Sequence, residues 1–275
     1  MRASKGHDRN VTGSEEYLLD NQQVEAGQRF DALSLLFNPS TFRHAQATGL
    51  AAGWCVWEVG AGSPSVPAWF AERVGAGGRV LATDIDTAWL GEGDSGYEVR
   101  RHDVGIDPPP SGHFDLVHAR LVLVHVPHRP QALAAMVSAL KPGGWLLLEE
   151  ADPGLQGLVC PDESGPEQEL ANKVKRGFRT LLAQRGVDLA YGRTLPRLLR
   201  DLGLSDVRSD AYFPMGGPAC TDLERATVEQ TRDALVAAGA ATDAEIDQHL
   251  FNVGTGRLDL ATSPMVSAWG RKPTA

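Results

Sequence analysis

The chain has 275 residues, 42% of them hydrophobic and 22% charged, which suits a globular protein with a sizeable core and excludes a disordered one. Its formal net charge is −9, the wrong sign for a surface that grips nucleic acid, where each neutralised phosphate needs a lysine or arginine. No apolar run approaches the roughly 20 residues that span a bilayer, so neither a nucleic acid nor a membrane is expected as a partner.

The first sixteen residues are polar and mixed in charge, with no apolar signal core, so the expected location is the cytoplasm. Cys55, Cys160 and Cys220 are too scattered for a metal site or a disulfide framework, and no metal is expected. Up to about Gly53 the chain reads as helical: Phe30, Leu33, Leu36 and Phe37 recur at helical spacing, and Asn38-Pro39-Ser40-Thr41 predicts a break before another helix. This stretch, 1–53, is expected to form a helical cap on a core of residues 54–275, and its helices are the candidate surface for pairing two copies of the chain.

From Trp54 to Asp152, short apolar runs alternate with helical patterns, the signature of a parallel sheet built from βαβ units. The expected strands are Cys55–Val59, Arg79–Thr83, Tyr97–His102, Phe114–Ala119 and Trp145–Glu149. Val66, Trp69, Phe70 and Arg73 mark one intervening helix. Leu133, Met136, Val137 and Leu140 mark another, which opens near Pro130 and stops at Lys141-Pro142-Gly143-Gly144. Residues 153–193, rich in Gly, Pro and charge before turning helical, read as an insertion placed to cover a pocket. The core resumes with a helix carrying Leu195, Leu198, Leu199 and Leu202 and ended by Gly203, then a strand from about Asp206 to Phe213. A second insertion spans about 216–254, where Thr242 and Glu245 form a capping-box pattern before Ile246 and Leu250. Met265 to Trp269 is the expected last strand.

The strongest chemical signal is Glu58-Val59-Gly60-Ala61-Gly62, an apolar strand running into a glycine turn and then a helix. Glycines let such a turn adopt unusual dihedrals and let its backbone approach a ligand. A tight strand-to-helix turn with no ligand has the same look. Asp84, however, ends the next strand, about 20 residues on, where a carboxylate is placed to accept from both hydroxyls of a ribose.

Glu58-x-Gly60-x-Gly62, Asp84, His102-Asp103-Val104, Phe114-Asp115-Leu116-Val117 and Leu140-Lys141-Pro142-Gly143-Gly144 together resemble class I S-adenosylmethionine-dependent methyltransferases, over about residues 54 to 152. The run from Phe114 to Pro127 and the Lys-Pro-Gly-Gly-Trp-Leu-Leu-Leu-Glu-Glu stretch resemble small-molecule, natural-product methyltransferases of actinobacterial type. The resemblance implies an α/β fold: a Rossmann-like, seven-stranded, mostly parallel sheet with an antiparallel last strand, plus a helical N-terminal cap and lid insertions. It implies S-adenosylmethionine as cofactor, with S-adenosylhomocysteine as product. Glu58, Gly60 and Gly62 would hold the methionine and ribose portions, Asp84 the ribose hydroxyls, and Ile85 the adenine face. Asp103 would accept from the adenine amino group with the Val104 backbone nearby, while the backbone at His118 and Ala119 would line the methionine amino group. Arg29 is a candidate for the methionine carboxylate, against the plainer reading of an arginine on a solvated face. Where the family often has a third glycine, this chain has Pro64, tolerable at a helix start.

A nicotinamide-dependent dehydrogenase would want a third glycine where Ser65 stands. A base-modifying methyltransferase would carry an Asn/Asp-Pro-Pro-aromatic turn where this chain has His118-Ala119-Arg120-Leu121. A methyltransferase fold that binds cofactor yet acts as a cyclase or binding module stays open, because fold does not dictate chemistry. For transfer to a protonated acceptor, His118 and His125 are the candidate bases, with His128 less favoured; each also has a plain reading as a hydrogen-bonded structural residue. The methyl acceptor is expected to be a small organic molecule. Tyr17, Phe30, Phe37, Phe178, Tyr191, Tyr212 and Phe213 are aromatic candidates for its pocket, or ordinary core.

Overall fold

A computed structural model of the protein describes Leu18, residues 24–91 and residues 96–274. Seven strands form one sheet in the order β3-β2-β1-β4-β5-β7-β6. They are β1 (Cys55–Val59), β2 (Arg79–Asp84), β3 (Glu98–Arg101), β4 (Phe114–Arg120), β5 (Leu140–Ala151), β6 (Ser205–Tyr212) and β7 (Met265–Arg271). The first five are mutually parallel, and β7 enters antiparallel between β5 and β6. The strand order reverses between β1 and β4. In open α/β sheets, that reversal leaves a crevice at the carboxyl ends of the strands.

The central strands are apolar on both faces because helices cover both. Val56, Leu116, Leu147 and Trp269 pack against Ala45 of α1 (Val24–Ala47) and Val66, Phe70 and Val74 of α2 (Ser65–Val74). On the other face, Trp57, Val59, Val117, Ala119, Leu146 and Leu148 meet Ala132, Leu133 and Met136 of α3 (Arg129–Ala139) and Leu195 and Leu199 of α5 (Leu195–Asp201). Each such large side chain, fully buried, contributes about 1.5–3 kcal/mol.

Three further helices, α4 (Pro166–Gln184), α6 (Pro218–Ala237) and α7 (Asp243–Gly254), share a small core of Val174, Leu181, Val228, Leu235 and Ile246. A second apolar cluster joins this bundle to α1 and the sheet: Leu36, Phe37, Val159, Cys160, Ala171, Cys220, Val253 and Met265, flanked by Leu33 and Leu121. The Thr242 hydroxyl and Glu245 carboxylate cap α7 reciprocally, as their spacing predicts.

Two expectations fail locally. No break occurs at Asn38-Pro39-Ser40-Thr41; α1 runs through Pro39. Proline removes the bond to the Leu35 carbonyl, but Leu35 and Pro39 both lie on the exposed face, where water can meet that carbonyl. On the inner face Arg120 clamps both sides of the proline, donating to Asn38 Oδ1 (3.0 Å) and Thr41 Oγ1 (2.9 Å). The helix before Lys141-Pro142-Gly143-Gly144 ends at Ala139, and Leu140 already pairs with Phe114 as the first residue of β5. The Lys-Pro-Gly-Gly run is therefore a bulge inside the strand, not a helix stop, with Gly143 at φ +79°.

Among the described residues, no helix is long and apolar enough to cross a membrane, and no group of three or more His, Cys, Asp or Glu could hold a metal ion. All three cysteines are free.

Candidate active site

β1 delivers Gly60 and Gly62 at φ +62° and +60°, values that L side chains rarely adopt. Space is short there too, more so at Gly60. A Cβ on Gly60 would lie 2.3 Å from Val122 Cγ2, and one on Gly62 would lie 3.1 Å from Phe30 Cε1. The turn is tied to β2 twice: Ala61 N–H donates to the Thr83 carbonyl (3.0 Å) and Gly62 N–H donates to Asp84 Oδ2 (2.9 Å). Asp84 Oδ1 accepts from Asp86 N–H (3.0 Å). Burial raises the pKa of this carboxyl, against the lowering effect of those backbone donors. Pro64 stands immediately before α2 with φ −72°, so the departure from the family pattern fits the helix start.

The amino-terminal part of α1 walls this turn. Phe30 packs on Gly62 and meets the Trp89 ring edge-on (6.4 Å), while the Arg29 guanidinium lies over the Phe30 ring (4.9 Å). Arg29 is buried, not on a solvated face. Ile85 is 61% exposed just past Asp84, an unusual state for a large aliphatic residue beside a crevice. Asp103 follows β3; its Oδ1 accepts from Gly105 N–H (2.8 Å), and Val104 beside it is buried.

Past β4 the chain turns sharply at Leu121, a non-glycine residue at φ +58°. Its N–H donates to the Glu149 carbonyl (2.8 Å). The following 3₁₀ turn, Leu123–His125, carries His125. Burial, then the Arg29 and Arg129 charges, pull the His125 pKa down to about 4, so its imidazole is neutral at physiological pH. Ala119 is buried in the sheet and His128 is exposed.

His118 has a different setting from the one expected. It is fully buried, with Nδ1–H donating to Glu58 Oε2 (2.5 Å) and Nε2–H to Glu149 Oε2 (3.3 Å). Burial alone would lower its pKa, but the two carboxylates outweigh that and push it up to about 9. With both nitrogens engaged and protonated, His118 has no lone pair for an acceptor's proton, contrary to the expectation of a general base. Glu149 in turn accepts from Thr41, from Ser267 Oγ (2.6 Å) and from His44 Nδ1 (3.0 Å). Burial would raise its pKa, yet the His118 and His44 bonds hold it well below the usual range. His44 Nε2 reaches Asp210 Oδ1 (2.9 Å). A polar row thus crosses five strands beneath α1: Glu58 on β1, His118 on β4, Glu149 on β5, Ser267 on β7 and Asp210 on β6.

Sequence reasoning found Glu58 and His118 in this row and missed Glu149, His44, Ser267 and Asp210. Glu149 ends an otherwise apolar strand run, and His44 falls on the buried face of α1; those were the available signals. Glu150 was missed as well. It is buried, and its Oε1 accepts from Val122 N–H (3.1 Å) and Leu123 N–H (2.6 Å). Of the aromatic candidates, Phe30 lines the glycine turn and Phe37 joins the cluster under the helical bundle, edge-on to Tyr212 (6.3 Å). Tyr191 is core beneath the Arg129 guanidinium, Phe178 packs inside the bundle, and Phe213 is half-buried. Tyr17 lies outside the described residues.

The profile of the methyltransferase domain family matches residues 29–209. Methyltransferase str2 of the fungus Strobilurus tenacellus is 36% identical over 138 residues, 46% of this chain and 46% of that protein. The ubiquinone/menaquinone biosynthesis C-methyltransferase UbiE of Laribacter hongkongensis is 36% identical over 109 residues, 37% of this chain and 45% of that one. The chain thus spans less than half the length of these curated relatives. Among solved structures, phosphoethanolamine N-methyltransferase 2 of Haemonchus contortus, in complex with S-adenosyl-L-methionine, superposes with a TM-score of 0.57 at 16% identity, covering 96% of this chain and 61% of that one. The YcgJ protein of Bacillus subtilis gives 0.54 at 12% identity, covering 86% of this chain and 100% of that one. At such identities the likeness is one of fold. A family match over more than half of the chain, on a Rossmann-like sheet with the glycine turn and Asp84 at its crevice, makes this chain a member of the methyltransferase domain family.

Proposed function

We propose that this protein transfers a methyl group from S-adenosylmethionine to a small organic acceptor, in natural-product biosynthesis in the cytoplasm. The observation that carries the reading is the bond from Gly62 N–H to Asp84 Oδ2, which joins the glycine turn of β1 to the carboxylate at the end of β2.

The residues fit the cofactor. A carboxylate offers about four lone-pair sites, so Asp84 keeps acceptor capacity for two ribose hydroxyls after the Gly62 and Asp86 donors are counted. Asp103 keeps capacity for an exocyclic amine beyond its bond to Gly105, and exposed Ile85 offers an apolar face to a purine. Glu58, Gly60, Gly62, Val104 and the backbone of His118 and Ala119 complete the cradle, with Arg29 for a carboxylate. S-adenosylmethionine, when bound, supplies a methyl group already activated by its sulfonium. The chain's work is to hold the acceptor atom in line at roughly 3–3.5 Å, which can supply most of the rate.

The net charge of −9 argues against a nucleic acid. His125, neutral and on the turn beside Val122, is the candidate base for an acceptor that must lose a proton.

Calorimetric titration of S-adenosylmethionine and S-adenosylhomocysteine into wild type and Asp84→Ala tests the cofactor reading. Saturable binding lost in the variant supports it, and screening acceptors with labelled methyl donor then follows. Binding of NADH in place of both ligands would overturn it. Tight cofactor binding with no transfer to any class of acceptor would favour a cyclase or binding module.

A further inference from the structure

A line of charged side chains through a sheet interior is costly, and well-packed apolar residues in such places are often as stable or more so. This row therefore asks for a reason beyond stability. Its geometry supplies one. The Glu58 end belongs to the glycine turn. The His44–Glu149 end, with Thr41 and the Arg120 clamp, fixes α1, the same helix whose Arg29 and Phe30 wall that turn. From His44 back to Phe30 the helix spans about 21 Å, so an anchor at one end sets the position of the other.

We propose that His118, Glu149 and His44 are positioning residues for the cofactor cleft, a buried proton on His118 holding Glu58 at the glycine turn while the same chain of bonds seats α1 over it. The inference rests on the cofactor reading above. The groups facing His118 are Glu58 from β1, Glu149 from β5 and the Phe70 ring of α2 edge-on at 5.9 Å; Arg120, Thr41, His44 and Ser267 act on it through Glu149, and Asp210 with Arg43 through His44. Two carboxylates bracket a single imidazolium. Removing one charge weakens the hold on the proton, so Glu149→Gln brings the loss of that proton down toward neutral pH.

The test is the pH dependence of S-adenosylhomocysteine affinity, from pH 6.5 to 10, for wild type and Glu149→Gln. The ligand's own ammonium titrates alike in both, so only the difference between them counts. The expected result is an alkaline fall in affinity whose midpoint lies at least one pH unit lower in Glu149→Gln than in wild type, about the effect of one nearby charge. Should Glu149→Gln fail to fold, the ring-nitrogen NMR signals of His118 in the wild type decide the matter. An imidazolium at pH 8 that loses its proton in step with the fall in affinity supports the proposal, and a neutral ring at pH 7.5 overturns it. Equal midpoints, or a flat wild-type profile, overturn it while leaving the cofactor reading intact. No binding by wild type at neutral pH overturns both.

Discussion

Glu150 and Leu123 are joined by a 2.6 Å hydrogen bond from the backbone N–H of the turn after β4 to a carboxyl oxygen at the end of β5. The same oxygen takes the N–H of Val122. One buried side chain thus holds the loop that carries Val122 against Gly60 and leads into the turn of His125.

Burial pushes the Glu150 pKa up to about 8, against the lowering effect of its backbone donors and Arg129. An acid whose folded pKa lies above its unfolded value costs stability once pH exceeds the unfolded value near 4.5, and the cost grows until the folded value is reached. Glutamine keeps the accepting oxygen without the charge. Glu150→Gln is expected to stabilise the protein by on the order of 1–3 kcal/mol at pH 7, the gain fading toward pH 4. Urea unfolding at the two pH values measures this, and a variant no more stable than wild type at pH 7 would refute it.

His125 is held neutral by burial and by Arg29 and Arg129, its pKa near 4. If it takes a proton from the acceptor, kcat should be level through neutral pH and decline only as pH falls toward 4. His125→Ala should lower kcat by about 10²–10⁴-fold for a proton-bearing acceptor and leave S-adenosylhomocysteine affinity within a few-fold. A variant that keeps full turnover excludes the base role.

In the helical bundle, Glu224 is buried between Lys175 Nζ (3.2 Å) and His249 Nε2 (3.2 Å). Burial would raise its pKa, but these partners bring it down to about 2. Its contribution, about 3 kcal/mol from that shift, is present above the unfolded value near 4.5 and lost as pH falls through about 2. Glu224→Gln should therefore be markedly less stable than wild type at pH 7 and approach it near pH 2.5, as read from thermal midpoints across that range.

The parts of this molecule that were legible in the sequence are those with local signatures. The strand from Cys55 to Val59, the glycine turn, Asp84 about 20 residues on and the Thr242–Glu245 cap each follow from short spacings along the chain, and each lies where its spacing places it. Long-range relationships were not legible. Pro39 reads as a helix stop until Arg120, 81 positions along, is known to clamp both sides of it. His118 reads as a base because a lone histidine at a strand end has the right intrinsic pKa. Only the register pairing Glu58 with His118, and the packing of Glu149 beside them, turns it into a fixed cation. Glu150 and Glu149 are adjacent in sequence yet serve opposite faces of the sheet, a division that alternation allows but does not announce.

The contact between Gly60 and Val122 reaches beyond the cleft. Gly60 is required for two independent reasons, its positive φ and the methyl group of Val122 that fills the space a Cβ would need. Trimming Val122 to alanine relieves most of the second and none of the first, since the remaining Cβ still lies 3.3 Å away. Gly60→Ala should therefore be rescued in part, never wholly, by Val122→Ala, the shortfall combining the backbone conformational cost with the 3.3 Å contact to the Cβ that alanine keeps. Among relatives that keep the same backbone turn, residue 60 should stay glycine even where residue 122 becomes small.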